Sequence, residues 1–381
     1  MQATKVATIA EHFRGVQDPR VERTKEHPLV NIIVIAICGV ICGADSWVDI
    51  EHFGQAKADW LAHFLDLENG IPAHDTFGRV FARLDPEEFQ AGFVSWIQAV
   101  SQITAGEIVA IDGKQLRRSH DGRLGKKAIY MVSAWAVGNH LVLGQRKVDE
   151  KSNEITAIPK LLKMLALAGC IVTIDAMGCQ TDIAGDIIAQ DADYVLALKG
   201  NQGRLHEDVA EMFAYFEKID FAGVEHDYHR SVNGGHGRIE IRECWTFDPH
   251  QWADSFRTLQ NWPQLRTVVM VVAQRQTDAQ VTRETRFYIS SLESDARQLL
   301  QAIRSHWGIE NSLHWVLDIA FREDDSRIRT DHAPENMAVL RHIALNLLKQ
   351  EQSAKCGIHA KRLKCGWDET YLMKVLQGAG L

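Results

Sequence analysis

The chain has 381 residues, 46% hydrophobic and 24% charged, which is room for two to four globular domains and unlike a disordered or fibrous composition. A formal net charge of −8 argues against a uniformly basic nucleic-acid-binding surface, but charge averages over faces and the basic residues here are clustered. The seven cysteines form no Cys-x-x-Cys pair and no secretory leader is recognisable, so no disulfide framework is expected and the cytoplasm is the expected compartment.

Residues 1–103 read as a helical domain. Leu29 to Cys42 (LVNIIVIAICGVIC) is almost uninterrupted apolar, too short to span a bilayer, and includes Asn31, so it predicts a buried helix. Ser46 to Leu67 places Trp47, Ile50, Phe53, Trp60, Leu61, Phe64 and Leu65 near a 3.6-residue period and predicts one helix, stopped by Asn69-Gly70. Asp75 is expected to cap the short helix TFGRVFARL, and Glu87 to Ile103 predicts a further amphipathic helix. GIPAHDTFGRVFARL is similar to a turn entering a recognition helix, with Thr76, Arg79 and Arg83 available to DNA; a packing or dimerisation module is the alternative.

At Glu107 the pattern changes. EIVAIDG, AIYMVSAWAV and HLVLGQRKV predict three strands, the last two joined by the hairpin dipeptide Gly138-Asn139. Glu154 to Ala168 predicts a helix in which Pro159 is comfortable only in the first turn. CIVTIDA is a fourth strand, Gln180 to Gln190 a helix, and DYVLALK a fifth strand. With right-handed crossovers, the order β-β-β-α-β-α-β makes strands one, four and five parallel in a mixed sheet, the order of the ribonuclease H-like fold. Gly203 to Lys218 predicts a helix. RIEIRECWTF, RTVVMVVAQRQ and TRETRFYISS predict a β-rich insertion, with Asn233, Gly234, Gly235 and Gly237 in a turn or flexible loop. Ser294 to His306 and Pro334 to Lys349 predict helices, and GIENSLHWVLDIAF continues or follows the first of them. The expected organisation is therefore α/β: an N-terminal helical domain (1–103), a mixed-sheet core (104–222 and 291–349), a β-rich insertion (223–290) and a weakly patterned C-terminal tail (350–381).

Asp112 ends strand one and Asp175 ends strand four. Either alone is an ordinary turn or cap residue. Together, on neighbouring parallel strands, they emerge at the same sheet end, where open α/β sheets bind ligands. Two apposed carboxylates repel unless a proton or cation lies between them, and an all-oxygen cluster suits Mg²⁺ or Mn²⁺. Two such ions, roughly 3.5–4 Å apart, would clamp the attacking and leaving oxygens of a phosphodiester. A third carboxylate is available at Glu310, Asp318, Glu323, Asp324 or Asp325, and spacing does not choose among them.

Other residues admit two readings. Lys199, Asn201 and Gln202 follow strand five at the same sheet end and serve either as phosphate contacts or as a polar turn. Arg238, Glu240 and Arg242 share one face of a strand, DNA-facing or simply solvated. His306 and Trp307 recur as His314 and Trp315 on what reads as one helix, either a packed core face or a base-stacking, phosphate-contacting one. Basic residues crowd two stretches, Lys114, Arg117, Arg118, Arg123, Lys126 and Lys127, and then Lys355, Lys361, Arg362 and Lys364. Cys356, His359 and Cys365 fit no standard zinc spacing.

Several stretches in combination resemble one family: AHDTFGRVFARLD, AIDGKQLRRS around Asp112, TIDAMGCQTDIA around Asp175, YVLALKGNQ, HGRIEIR, HWGIENSLHWVLDIAFREDDSRIR and APENMAVLRHIALNLLK. Over nearly its whole length the chain is similar to the H-repeat-associated, ISAs-type group of bacterial insertion-sequence transposases, DDE enzymes on a ribonuclease H-like core. The resemblance implies that Glu310, in HWGIEN, is the third acid beside Asp112 and Asp175, and that the three hold two Mg²⁺ (or Mn²⁺). It implies terminal inverted repeats and target DNA as partners, a homodimer to join two element ends, hydrolysis at the element end to free a 3′-OH, and attack of that hydroxyl on target DNA. The chain departs from the wider superfamily, which sets Tyr, Arg, Glu and Lys around the third acid: aligned on Glu310, it has Ile303, His306 and Leu317 at the other three positions. The departure bears on phosphate contacts rather than metal ligands, and Arg304 and His306 are the candidates to replace the missing arginine. The expected DNA contacts are thus Arg79, Lys199, Arg238, Arg304 and His306, in a cytoplasmic, nucleoid-associated protein with no membrane partner. A ribonuclease H-like nuclease without strand transfer, or a decayed or domesticated DNA-binding protein, are the alternatives.

Overall fold

The computed structural model describes residues 9–101, 104–120, 125–149, 152–235, 237–277 and 280–377. In chain order these form α1 (Ile9–His12), α2 (Leu29–Ile41), α3 (Trp47–Ala56), α4 (Ala58–Leu61), α5 (His74–Arg83) and α6 (Pro86–Val100). Strands β1 (Ile108–Gln115), β2 (Tyr130–Ala136) and β3 (Leu141–Lys147) follow, then α7 (Glu154–Leu162), β4 (Ile171–Ile174), α8 (Thr181–Ile188), β5 (Asp193–Leu198) and α9 (Gly203–Lys218). Strands β6 (Asp227–Gly235), β7 (Arg238–Phe247), β8 (Thr267–Thr277) and β9 (Val281–Ser290) precede α10 (Ala296–His306), α11 (Trp315–Phe321), α12 (Ala333–Gln350), α13 (Ile358–Trp367) and α14 (Glu369–Gln377). No described helix is long and apolar enough to cross a membrane.

The expected β-β-β-α-β-α-β order holds, and the strands make one mixed sheet in the order β3-β2-β1-β4-β5-β9-β8-β7-β6. Strands β1, β4 and β5 are parallel, as their helical crossovers require. The insertion does not form a sheet of its own. Strand β9 pairs antiparallel with β5, so residues 227–290 lengthen the core sheet by four antiparallel strands. Strand β6 was not expected. Its Asn233, Gly234 and Gly235 pair in register with Glu240, Ile239 and Arg238, and the turn lies beyond them, where Gly237 takes a φ of +70°.

The chain divides into two compact units, one of residues 103–112 and 152–309, the other of 1–102, 113–151 and 310–381, with β1 passing from one to the other. In the first, α10 lies across the face of the sheet, burying Leu299, Leu300 and Ile303 against Val195, Cys244 and Val269. Helix α7 stops at Leu162, short of the expected Ala168, and Pro159 sits inside it rather than in its first turn. Proline removes one helical hydrogen bond and crowds the preceding turn, which fits so short a helix.

In the second unit the buried helix expected from Leu29 is α2, enclosed on every side, with Asn31 donating to the Asp66 carbonyl at 2.5 Å. The single helix expected over 46–67 is two: Ser46 and Asp49 form a capping box for α3, whose last turn tightens at Lys57 before α4 begins. Asp75 does not cap α5. Ala73 is the N-cap, Asp75 lies in the first turn, and the His74 amide is satisfied instead by Glu51 Oε2 at 2.8 Å. Helix α6 ends at Val100, and residues 102–103, where it was expected to continue, lie outside the described residues.

Helix α12 runs through the middle of this unit, and its polar residues are spent on structure. Asn336 donates to the carbonyls of Phe81 and Leu84 at 2.8 and 3.0 Å, closing the end of α5. Asn346 pairs with both main-chain groups of Val142 at 2.8 and 2.9 Å, as a neighbouring strand would. The weakly patterned C-terminus folds as well, into α13 and α14.

Candidate active site

Backbone pairing places the two aspartates. Strands β1 and β4 pair in parallel up to Ile111 opposite Ile174, so Asp112 and Asp175 are the next residues on neighbouring strands about 4.8 Å apart. Both are half-buried at the carboxyl end of their strand pair.

The loop after Asp175 is built around that carboxylate. Its Oδ1 accepts from the amides of Met177 and Gly178 at 3.0 and 3.4 Å. Among the described residues nothing donates to Oδ2, which is left for another ligand. A Cβ on Gly178 would lie 2.3 Å from Ile174 Cγ2 and 3.0 Å from Ile158 Cδ1, so the tight return of the loop needs glycine. Asn201 donates to the Ala176 carbonyl at 2.7 Å, and Gln202 to the Cys179 carbonyl at 2.8 Å. The polar turn after β5 therefore braces the Asp175 loop. Lys199, beside it, is exposed and contributes to holding Glu284 below the usual carboxylate range, where the Arg286 hydrogen bond is the largest cause.

His306 lies close enough to Asp175 to feel its charge. Its Nδ1 is 3.1 Å from Thr173 Oγ1 on β4. Burial holds its pKa below the ordinary 6.5 although Asp175 pulls the other way, so the ring is neutral at physiological pH. The ring is half-buried and one of its nitrogens is held by Thr173. Trp307 is 43% exposed beneath the Arg286 guanidinium, 5.3 Å from the ring centroid. Arg304 is exposed. Arg238 is exposed and shares Glu240 with Arg242, at 3.1 Å for its own pair. Ile303 is buried core.

In the other unit, α10 has ended and the expected single helix through His306 and Trp315 is broken. Glu310 to His314 form a π turn, and Trp315 opens α11, 61% exposed. Glu310 is exposed, and among the described residues it has no ion pair or hydrogen bond. Its four rivals are engaged. Asp318 pairs with Lys114. Glu323, 3% exposed, lies 2.7 Å from Lys114 and 3.4 Å from Arg341. Asp324 is 3.2 Å from Arg117 and 3.7 Å from Lys114, and Asp325 is 3.3 Å from Arg322 and 3.5 Å from Arg118. Leu317 is buried core.

Similar contacts engage part of the two basic clusters, while Lys127, Lys355 and Lys364 are exposed. Lys114, Arg117 and Arg118 face acids, Lys126 is 3.5 Å from Asp331, and Arg123 lies outside the described residues. In the second cluster Lys361 and Arg362 are 5% and 3% exposed. Lys361 donates to the Leu348 carbonyl at 2.9 Å. Arg362 donates to the carbonyls of Val40, Ala44 and Ala320 and to Asp45, and stacks on Phe321. Arg79 is exposed on α5, its Nε donating to the Asp75 carbonyl at 3.1 Å.

Among the described residues no three His, Cys, Asp or Glu side chains are gathered closely enough to hold a metal. The donor chemistry of the pair nevertheless fits a hard divalent cation: two carboxylates adjacent in register, one with an oxygen to spare.

The comparison that decides the family covers this whole region. Residues 103–347 match the family model described as "Transposase DDE domain". The chain belongs to that DDE transposase family. Residues 10–97 match a second model, "DDE_Tnp_1-associated". The chain is 42% identical to the "H repeat-associated putative transposase YhhI" of Escherichia coli (strain K12), covering 98% of each chain. It is 41% identical to the "Putative transposase YncI" of Escherichia coli O157:H7, over 97% of this chain and 95% of the other. It is 42% identical to an "Uncharacterized protein in dhlA 3'region" of Xanthobacter autotrophicus, over 74% and 94%. DDE transposases act on DNA and generally use divalent metal, which accounts for a carboxylate pair at a sheet end inside the DDE domain.

Proposed function

We propose that the protein is the transposase of a bacterial insertion sequence, binding its terminal inverted repeats and cutting and joining DNA with Asp112, Asp175 and Glu310. The observation that carries this is the register of Asp112 and Asp175 within the matched DDE domain. Glu310 completes the set because it lies in that domain and is the acid of its group left without an ionic partner among the described residues. Two Mg²⁺ (or Mn²⁺) held by these carboxylates would neutralise the scissile phosphodiester and ready an oxygen nucleophile.

The chain's own residues do the rest. The Met177 and Gly178 amides aim the Asp175 carboxylate, and Asn201 and Gln202 keep their loop in place. His306, half-buried and held to Thr173, steadies β4 close to Asp175. Arg79, Lys199, Arg238 and Arg304 are exposed cations available to phosphates. Residues 1–103 act as a DNA-binding or dimerisation module, 223–290 as an elaboration of the catalytic core (104–222 and 291–349), and 350–381 as the C-terminal appendage. The enzyme works as a dimer on two element ends, in the cytoplasm at the nucleoid.

The test uses purified protein, Mg²⁺ and duplexes carrying the inverted repeats that flank its gene. Specific end cleavage followed by joining to a second duplex is expected, and Asp112→Asn or Asp175→Asn should abolish both while leaving DNA binding within about threefold. Cleavage without joining would make the protein a nuclease. Binding without either would make it a DNA-binding protein only.

A further inference from the structure

Helix α10 and the edge strand β6 enclose a groove of about 450 Å³. Its walls carry His229 and Ser231 from β6 and Arg297, Gln301, Arg304 and Ser305 from α10, with Leu300 at its floor. None of these is acidic, and all but Leu300 can donate a hydrogen bond. Ser231 stands opposite Arg242 in the β6–β7 register. Ser231 Oγ and Arg242 Nη1 are both buried, and among the described residues neither has a hydrogen-bond partner. Burying a donor without an acceptor is unfavourable, so the Ser231 hydroxyl in the groove wall, with the Arg242 guanidinium paired beside it on β7, favours an acceptor supplied from outside. Arg304 also sits close enough to Arg242 for that charge to add to burial in weakening its proton affinity, with Glu240 only partly offsetting the two.

We propose that this groove receives the phosphate backbone of duplex DNA, with Arg297 and Arg304 as its outer cations, Ser231 as an inner donor and the Arg242 charge beside it. The proposal rests on the reading that the protein acts on DNA. Arg297 and Arg304 are seven residues apart on one helix face, roughly 10 Å at 1.5 Å per residue. That is close to the axial rise of three base steps of one strand at about 3.4 Å each. Both arginines are exposed at the rim, so the groove suits a continuous polyanion rather than an engulfed small molecule. Its contacts read phosphate and carry no base specificity.

Binding would be measured by fluorescence anisotropy on an element-end duplex and on a scrambled duplex across a salt series. Arg297→Gln and Arg304→Gln should each weaken binding to both duplexes by a similar factor, and each should lower the slope of log K against log salt by about 0.9, the double variant by about twice that. Arg304→Lys should restore the slope. All variants should melt with the parent, because neither arginine is buried. Parent-like affinity and slope in the double variant, with the parent binding DNA, would overturn the groove and leave the function standing. No DNA binding by the parent protein would overturn both. A loss confined to the element-end duplex would also reject the groove, since it would mean base readout.

Discussion

Lys114 and Glu323 form a buried ion pair, Nζ to Oε2 at 2.7 Å, that ties the end of β1 to the turn following α11. Glu323 also faces Arg341 at 3.4 Å, and Lys114 also holds Asp318. Burial works against the lysine's charge, but Glu323 and Asp318 outweigh it and raise its pKa. Removing one partner of such a pair leaves an uncompensated buried charge. Lys114→Met should therefore lower unfolding free energy by roughly 3–5 kcal/mol. Urea denaturation measures it, and a loss below about 1 kcal/mol would mean that water relieves the acids left behind.

Acid should weaken the same unit in two stages. His342, buried beside Glu323, His314, Lys114 and Arg341, is pushed from 6.5 down to about 4, chiefly by burial. As pH falls through that interval the unfolded chain takes up a proton that the folded chain refuses, so stability drops. For Glu323 burial opposes ionisation, but Lys114 and Arg341 prevail and hold it at about 2 against an ordinary 4.5, so its contribution is lost as pH falls through that lower interval. His342→Gln should flatten the decline between neutral pH and about pH 4.5 by on the order of 2 kcal/mol. An unchanged pH slope in that variant would assign the decline to other groups.

Glu310→Gln and Asp318→Asn separate chemistry from support. Glu310 is exposed, so Glu310→Gln should melt with the parent yet lose at least a hundredfold in Mg²⁺-dependent cleavage. Asp318 lies eight residues further on, roughly 12 Å along a helix, and serves Lys114. Asp318→Asn should retain most of the cleavage rate while melting lower. The reverse pattern, an inactive Asp318→Asn and an active Glu310→Gln, would move the third acid.

Gly178→Ala should harm both stability and cleavage. The added methyl would lie 2.3 Å from Ile174 Cγ2, on the residue before Asp175, so the loop that holds Asp175 Oδ1 must shift. Overpacking of this kind destabilises by about 1–3 kcal/mol. Asn201→Ala, which removes only the brace to Ala176, should lose about 1 kcal/mol and leave more activity. Equal cleavage by parent and Gly178→Ala would show that the loop's path does not set the carboxylate.

What the sequence determined by itself was whatever short-range pattern can encode. The apolar run from Leu29 became α2, Gly203 to Lys218 became α9, and the alternation of strands and helices from Glu107 to Leu198 became the parallel centre of the sheet, with Asp112 and Asp175 just past the last paired residues of β1 and β4, although β1 runs on to Gln115 rather than ending at Asp112. Such elements follow from periodicity, and their pairing follows from crossover handedness. Strand β6 was illegible because an exposed edge strand shows no buried alternation and its glycines imitate a loop. The tertiary structure alone decided which charges are spent. Lys114 meets Glu323 across 209 residues of chain, and Arg362 meets Val40 across 322. Partners so distant leave no local pattern, so Lys114, Lys361 and Arg362, which read as parts of basic patches, became interior ties. The same long-range folding set Ser231 and Arg242 behind Arg304, a cluster of donors that charge counted along the chain cannot reveal.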